Sequence, residues 1–331
     1  MAKLRRGTQT ALSEAASLRL RAAWMYYNHG LTQKEVAEQL GISRTTVIRL
    51  LEEALGRGEI RIWIEEGEAS CVELAVKLER ALRLDEAIVV PQARGLENTA
   101  KSVGMALGKF LSEAISDNMT IGVGWGRTLT ASLASFRPSR RSGVRVMALL
   151  GGSIETQFAN PMECSWRMAS QLGAQCYLFP APLIVDSVET KRALIEKCGL
   201  DRLYQMAHEL DLAVVSVGDI GANSTSLARQ LMSDTELEEL RALGCVGDVM
   251  CNFLDENGGT ISHPLNERVM SIDLQTVSKA KHIVMACGGS QRARAIAATI
   301  KRIGCNTLVT DEGAAEALLA IAQADVELVT A

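Results

Sequence analysis

Residues 33–52 read QKEVAEQLGISRTTVIRLLE. Val36, Leu40, Ile42, Val47 and Leu50 fall at the apolar positions of two short helices that meet at an angle. Ala37 is small where such helices cross, and Gly41 stands where the turn between them needs a left-handed residue. Thr32 is a suitable N-cap for the first helix, with Glu35 three residues later completing a capping box. Ser43 caps the second. The pattern is that of a helix-turn-helix. Its second helix opens with Arg44, Thr45 and Thr46 facing outward and Arg49 one turn on. Short hydroxyl and guanidinium groups at the start of a recognition helix reach base edges and phosphates in a major groove. Thr32, Gln33, Ser43, Arg44, Thr45, Thr46 and Arg49 are therefore the candidate DNA-binding residues. An ordinary helical hairpin is the plainer alternative.

The charge distribution supports a division of labour. The 331 residues carry a net charge of -4. Residues 1–64 hold ten Lys/Arg against six Asp/Glu, and the remainder holds 25 against 33. A small basic head on a larger acidic body fits nucleic-acid binding confined to one end. The eight cysteines form no CxxC pair or Cys/His cluster, so neither a metal nor another cofactor is expected. No apolar run reaches the ~18 residues of a spanning helix. With no signal peptide visible, the expected compartment is the cytoplasm.

Around the helix-turn-helix, residues 12–29 read as a helix with Leu18, Ala22, Met25 and Tyr26 near helical spacing. After it, Gly56 and Gly58 break the pattern, and Ile60, Ile62 and Ile64 alternate with Arg61 and Trp63 as in a strand, a possible wing. Residues 65–70, EEGEAS, read as a linker, and 71–84 as a connecting helix or dimer contact. The expected division is a DNA-binding domain over 1–64, a linker and connecting helix over 65–85, and an α/β domain over 86–331. In this last part short apolar runs at 87–90, 120–124, 144–150, 176–179, 211–217, 282–286 and 307–310 alternate with helical stretches. That rhythm predicts a mainly parallel sheet covered by helices on both faces.

In such sheets ligands bind beyond the carboxyl ends of the strands. Two glycine turns lie there. In IGVGWGRTL (121–129), Gly124 and Gly126 precede Arg127 and Thr128; backbone amides, a cation and a hydroxyl would form an anion cradle. In MACGGSQRARAIAATI (285–300), Gly288 and Gly289 lead into a helix with Arg292 in its first turn, where a cation opposes the helix dipole unless an anion offsets it. Packing turns and a solvated arginine are the plainer readings. Asp219 (VSVGDIG) and Asp248 (GCVGDVMCNFLDENG) follow glycines at strand ends and suit sugar hydroxyls, or caps and Asx turns. His263, before Pro264, suits a structural turn. Asp, His and Arg together could serve an aldose–ketose isomerisation, yet no nucleophile elbow, metal cluster or GxGxxG turn accompanies them.

Taken in order, these motifs resemble the SorC family of bacterial sugar-responsive regulators. The resemblance runs over nearly the whole chain. It is carried by LTQKEVAEQLGISRTTVIRLL, VGWGRTL, LLGGS (149–153), VGDIG, GCVGDVMCNFLDENG, PLNERV and CGGSQRARAIAATIKR with TLVTDEGAAEALL. It implies a sugar-binding domain folded like sugar-phosphate isomerases, no catalysis, and homo-oligomers, dimers or tetramers, on palindromic operator DNA. The implied effector is a sugar or polyol, mostly phosphorylated. By residue, Gly126, Arg127 and Thr128 match the phosphate-binding turn, Asp248 the acidic residue that meets sugar hydroxyls, and Glu267 and Arg268 the NER motif near the pocket. Arg292 replaces a common lysine, exchanging a point charge for a fork, and Arg127 is bulky where relatives are often small. A sugar-phosphate isomerase-like enzyme with a fused DNA-binding head is the alternative. A DNA-bound scaffold without a ligand would leave the glycine turns unexplained.

Overall fold

The computed structural model describes residues 11–60, 69–137, 139–153, 160–221 and 232–330. The expected strand at 60–64 and linker at 65–70 fall largely outside them. The chain divides into two compact units, Met1–Glu65 and Glu66–Ala331.

In the first unit, α1 (Ala11–Ala23) continues into a π-helical turn, Trp24–Asn28, where a uniform helix was expected. The His29 amide reaches back five residues to the Trp24 carbonyl at 3.3 Å. Met25 and Tyr26 pack against the unit's core, while Trp24 and Tyr27 stay exposed. Helices α2 (Gln33–Leu40) and α3 (Arg44–Gly56) follow. Gly41 joins them at φ +67°, a left-handed conformation that favours glycine. Val36, Ala37, Val47, Leu50, Leu51 and Ala54 close over Ala22 and Ala23 of α1.

The second unit opens with α4 (Ala69–Leu82), β1 (Glu86–Val90), α5 (Leu96–Ala114), β2 (Thr120–Val123), α6 (Arg127–Ser132) and β3 (Arg145–Ala148). Next come α7 (Pro161–Leu172), β4 (Gln175–Tyr177), α8 (Val188–Lys197), α9 (Asp201–Ala207), β5 (Leu212–Val215) and β6 (Val217–Asp219). Then follow α10 (Asp234–Ala242), β7 (Cys245–Val249), β8 (Asn252–Asp255), α11 (Pro264–Arg268) and α12 (Leu274–Val277). The chain closes with β9 (His282–Ala286), α13 (Ala293–Ile303), β10 (Thr307–Asp311) and α14 (Glu312–Thr330).

Seven strands form a parallel sheet in the order β1-β10-β9-β5-β2-β3-β4. Side chains alternate across it. Val214, Val284 and Val309 join Leu107, Leu129 and Met168 of α5, α6 and α7 on one face. Ala213, Met285 and Leu308 join Leu78 of α4, Leu203 of α9 and Ile296 of α13 on the other. Both faces are covered, so the strands read as continuous apolar runs. A second sheet, β6-β7-β8, is antiparallel: the run expected as one element at 211–217 is two strands, and the second turns away to pair with β7. Helices α5 and α6 approach so closely that a Cβ on Gly108 would clash with the Ser132 carbonyl.

Candidate DNA-reading helix and effector cleft

The two candidate sites lie in different units. In the first, Thr32 Oγ1 accepts from the Glu35 amide at 3.3 Å while Glu35 Oε2 accepts from the Thr32 amide at 2.7 Å, so the capping box is formed. Ser43 Oγ accepts from the Thr46 amide at 3.1 Å and lies 2.8 Å from Thr46 Oγ1. The hydroxyls of Thr32, Ser43 and Thr46 are thus engaged within their own turns, and Thr46 is half-buried rather than fully outward. Arg44, Thr45 and Arg49 are exposed on α3. Arg44 Nε donates to Gln33 Oε1 at 3.2 Å, which ties the first residue of one helix to the first of the other. Arg49 lies 3.6 Å from Glu53. Exposed pairs of this kind are worth little and are readily exchanged for phosphate or base contacts.

In the second unit a cleft of about 540 Å³ opens beyond the carboxyl ends of the neighbouring strands β1, β10 and β9. Gln92 and Gly95 follow β1, Asp311 ends β10, Gly289 and Gln291 follow β9, and Asp219 ends β6. Its size suits a small ligand. Asp219 and Arg292, 5% and 6% exposed, form a buried ion pair with Arg292 Nε 3.1 Å from Asp219 Oδ1. A second Arg292 nitrogen donates to the Gly288 carbonyl at 3.1 Å. Burial works against the Arg292 charge, but Cys287 and Asp219 outweigh it and hold the guanidinium above its usual range. The counter-charge that the sequence assigned to a bound anion is supplied here by Asp219.

The glycine amides are also spent. The Gly289 amide donates to Asp311 Oδ1 at 2.8 Å, and the Gly124 amide donates to the Val214 carbonyl at 2.8 Å. Both were expected to face an anion and instead hold the strand ends together. Gly126, at φ +154°, lets the backbone pass Ser216, which a Cβ would meet at 3.0 Å. Thr128 is buried within the unit. Arg127 is half-buried, and burial and the nearby Arg292 hold it below its usual range while Asp219 and Glu97 pull the other way.

Asp248 is 6% exposed and does not line the cleft. Its Oδ2 accepts from the Cys251 amide at 3.0 Å, and its Oδ1 has no partner among the described residues. Burial pushes its pKa up to about 6, with Asp219 adding to the rise and the Cys251 amide and Arg292 opposing it. Glu267 and Arg268 do not line the cleft. Arg268 donates to the Pro264 and Val185 carbonyls and reaches Glu236 at 3.5 Å. His263 caps α11 by accepting from the Leu265 amide at 3.2 Å, and its Nε2 meets Glu239 at 3.0 Å. Gln92, Gln291 and Asp311 were not singled out from the sequence; the TLVTDEG run that holds Asp311 was quoted only for its order.

Residues 68–320 match the family described as "Putative sugar-binding domain", and 13–61 match a homeodomain-like domain. The chain belongs to the SorC family of sugar-binding transcriptional regulators. The erythritol catabolism regulatory protein EryD of Brucella abortus is 28% identical over 305 residues, covering 92% of this chain and 96% of EryD. The transcriptional regulator LsrR of Enterobacter sp. (strain 638) is 30% identical over 310 residues, 91% of this chain and 92% of LsrR. The crystal structure of the full-length sorbitol operon regulator SorC from Klebsiella pneumoniae shares the fold, with a TM-score of 0.69 at 24% identity over 93% of this chain and 100% of that one. As a SorC-family member the chain is a DNA-binding transcription regulator with a carbohydrate effector. Among the described residues no helix is long and apolar enough to cross a membrane.

Proposed function

We propose that the cleft around Asp219, Arg292 and Asp311 takes a small polyol or sugar, carried as its phosphate ester, and that occupancy changes the affinity of α3 for operator DNA. The observation that carries this reading is the cleft's polar lining. Asp219 and Asp311, with the carboxamides of Gln92 and Gln291, line one small cleft and together offer acceptors and donors for hydroxyl groups. Arg127, held below its usual charge affinity, gains from a phosphate beside the start of α6. The name of EryD points to a tetritol as a first ligand to test.

Arg44, Thr45 and Arg49 carry the DNA contacts, with Gln33 orienting Arg44. The protein works as a cytoplasmic homo-oligomer whose paired heads meet half-sites about one helical turn, or a multiple of it, apart. Effector binding acts through its different affinity for the two states of the oligomer. Turnover is not part of this function. Asp219 is locked to Arg292 and Asp248 is buried away from the cleft lining, so neither is poised to carry a proton to and from a carbon.

A specific observation favours a second reading, a neutral polyol: Arg292 already has Asp219 as its counter-charge. One experiment separates the two. Erythritol, sorbitol and their monophosphates are titrated calorimetrically against the full chain and Arg127→Gln, and each mixture is followed by NMR in deuterated water. The phosphate reading expects tighter binding of an ester, lost in Arg127→Gln, with no deuterium entering the ligand. Equal binding by both proteins, strongest for the free polyol, replaces it with the neutral one. Protein-dependent deuterium incorporation would establish catalysis.

A further inference from the structure

A second cavity, of about 280 Å³, lies among α8, α9, β8, α12 and the end of α13, and shares no residue with the effector cleft. Lys191 of α8 is half-buried in its wall, and its ammonium makes no hydrogen bond or ion pair with the described residues. Arg302, exposed in the last turn of α13, likewise makes none. The α13 dipole accounts for a cation at Arg302. It does not account for Lys191, in the first half of α8.

The carboxylate nearest to hand is committed elsewhere. Asp273 caps α12, with Oδ1 accepting from the Thr276 amide and Oδ2 from its hydroxyl, both at 2.7 Å. Burial therefore prevails over Asp273 and Glu267 and holds the Lys191 ammonium below its usual range. An under-compensated, half-buried cation is a cost that a bound anion removes.

The neutral groups specify the rest of the ligand. Tyr204 donates its hydroxyl hydrogen to the Ser271 carbonyl at 2.8 Å, which leaves its oxygen to accept. The Asn252 amide nitrogen is spent on the Val249 and Met250 carbonyls and Ser271 Oγ, at 3.3, 3.0 and 3.1 Å, so its carbonyl oxygen is the group left to engage. Two acceptors beside two cations fit an anion that also carries hydroxyl groups. At about 30 Å³ per water-sized group, the volume holds a ligand of about nine such groups. Asn252 also braces a turn. Met250 and Cys251, consecutive at φ 50° and 60°, form the two-residue turn of the β7–β8 hairpin, whose favoured geometry needs positive φ at both positions.

We propose that this cavity is a second binding site, for a small hydroxylated anion, either a phosphate ester or a carboxylate of about three carbons.

Hydrogen exchange on the full chain tests it, with glycerol 3-phosphate and glycerate as probes and glycerol as the neutral control at constant ionic strength. The expected result is slowed exchange at 188–197 and 271–277 with one or both anions and none with glycerol. The arm that protects identifies the anionic group. Lys191→Gln should weaken that protection about tenfold or more, and Arg302→Gln, exposed and safe for folding, severalfold. Arg127→Gln, outside this cavity, should leave it unchanged. No protection of these segments up to roughly 10 mM of either anion, equal protection by glycerol, protection confined to 92–99 and 288–292, or protection that survives Arg302→Gln and Lys191→Gln overturns the proposal.

Discussion

In the head, Arg44, Thr45 and Arg49 stand exposed on α3 while the apolar residues beneath them form the core. At the cleft, Asp219 and Asp311, and the Arg292 paired with Asp219, are each less than a tenth exposed and are bonded to one another or to the strand-end backbone. One region keeps its candidate binding groups apart from the groups that hold it together. The other uses the same groups for both. Substitutions in the head should therefore cost binding without stability, and those in the cleft should cost both.

The strongest test is Asp219→Ala. Removing one partner of a buried ion pair leaves the Arg292 charge uncompensated, and the expected loss is about 3–5 kcal/mol in urea denaturation of the second unit. Adding Arg292→Met should restore part of it, because the orphaned charge goes too. A loss below about 1 kcal/mol for Asp219→Ala would mean that the pair is hydrated and the cleft is not built as described.

Asp248→Asn should act in the opposite direction. A carboxyl whose pKa is raised on folding binds its proton more tightly in the native state. Its contribution to stability is full below the unfolded-state value of about 4. It declines as the pH rises to about 6, the folded value, and is level above that. Asparagine removes the buried charge, so the variant should be more stable by about 1–3 kcal/mol at neutral pH, with a flatter profile between pH 4 and 6. A carboxylate kept at such a cost is expected where function needs it, so the same variant should bind effector more weakly. A stabilised variant with unaltered effector binding would remove Asp248 from the site.

Much of the fold was legible, and the reason is local. The central strands of the parallel sheet are buried on both faces and show as apolar runs; the run at 282–286 coincides with β9. The helix caps at Thr32 and Ser43 are settled within three residues. The antiparallel sheet was not legible, because VGD, CVGDV and NFLD are short and show no alternation, and the first two carry glycine. The cleft was half legible. Strand-end position marked Asp219 and Arg292, but not their pairing across 73 residues. Asp311 escaped because its partner, the Gly289 amide, lies 22 residues away. Gln92 escaped because its amide is held by Glu312, 220 residues on.

Arg44→Ala sharpens the comparison from the head's side. The side chain is exposed and, among the described residues, bonded only to Gln33, so stability should stay within about 0.5 kcal/mol of the parent. Operator affinity should fall by about 1–3 kcal/mol if the guanidinium reads a base, with relaxed preference at one position. A phosphate contact would weaken all sequences alike and reduce the salt dependence. Operator binding equal to the parent's would take α3 out of the groove.

The smallest effect is expected from Ser43→Ala, and it probes where the separation of reading from folding ends. Ser43 was placed among the DNA-binding residues, yet its oxygen accepts from the Thr46 amide at 3.1 Å and lies 2.8 Å from Thr46 Oγ1. Alanine leaves an amide at the start of α3 without its acceptor, a loss of about 1 kcal/mol. If the hydroxyl serves only as a cap, that loss appears in thermal unfolding of the head, and operator affinity falls only by the fraction of heads that unfold. Glycine at this position should then recover most of the stability, since it is tolerated at an N-cap at a cost of a few tenths of a kcal/mol. If the hydroxyl also meets a phosphate, Ser43→Gly will be stable yet still bind operator weakly, with a reduced salt slope. Stability and affinity measured on the two variants together therefore decide whether Ser43 belongs to the reading surface or to the helix that carries it.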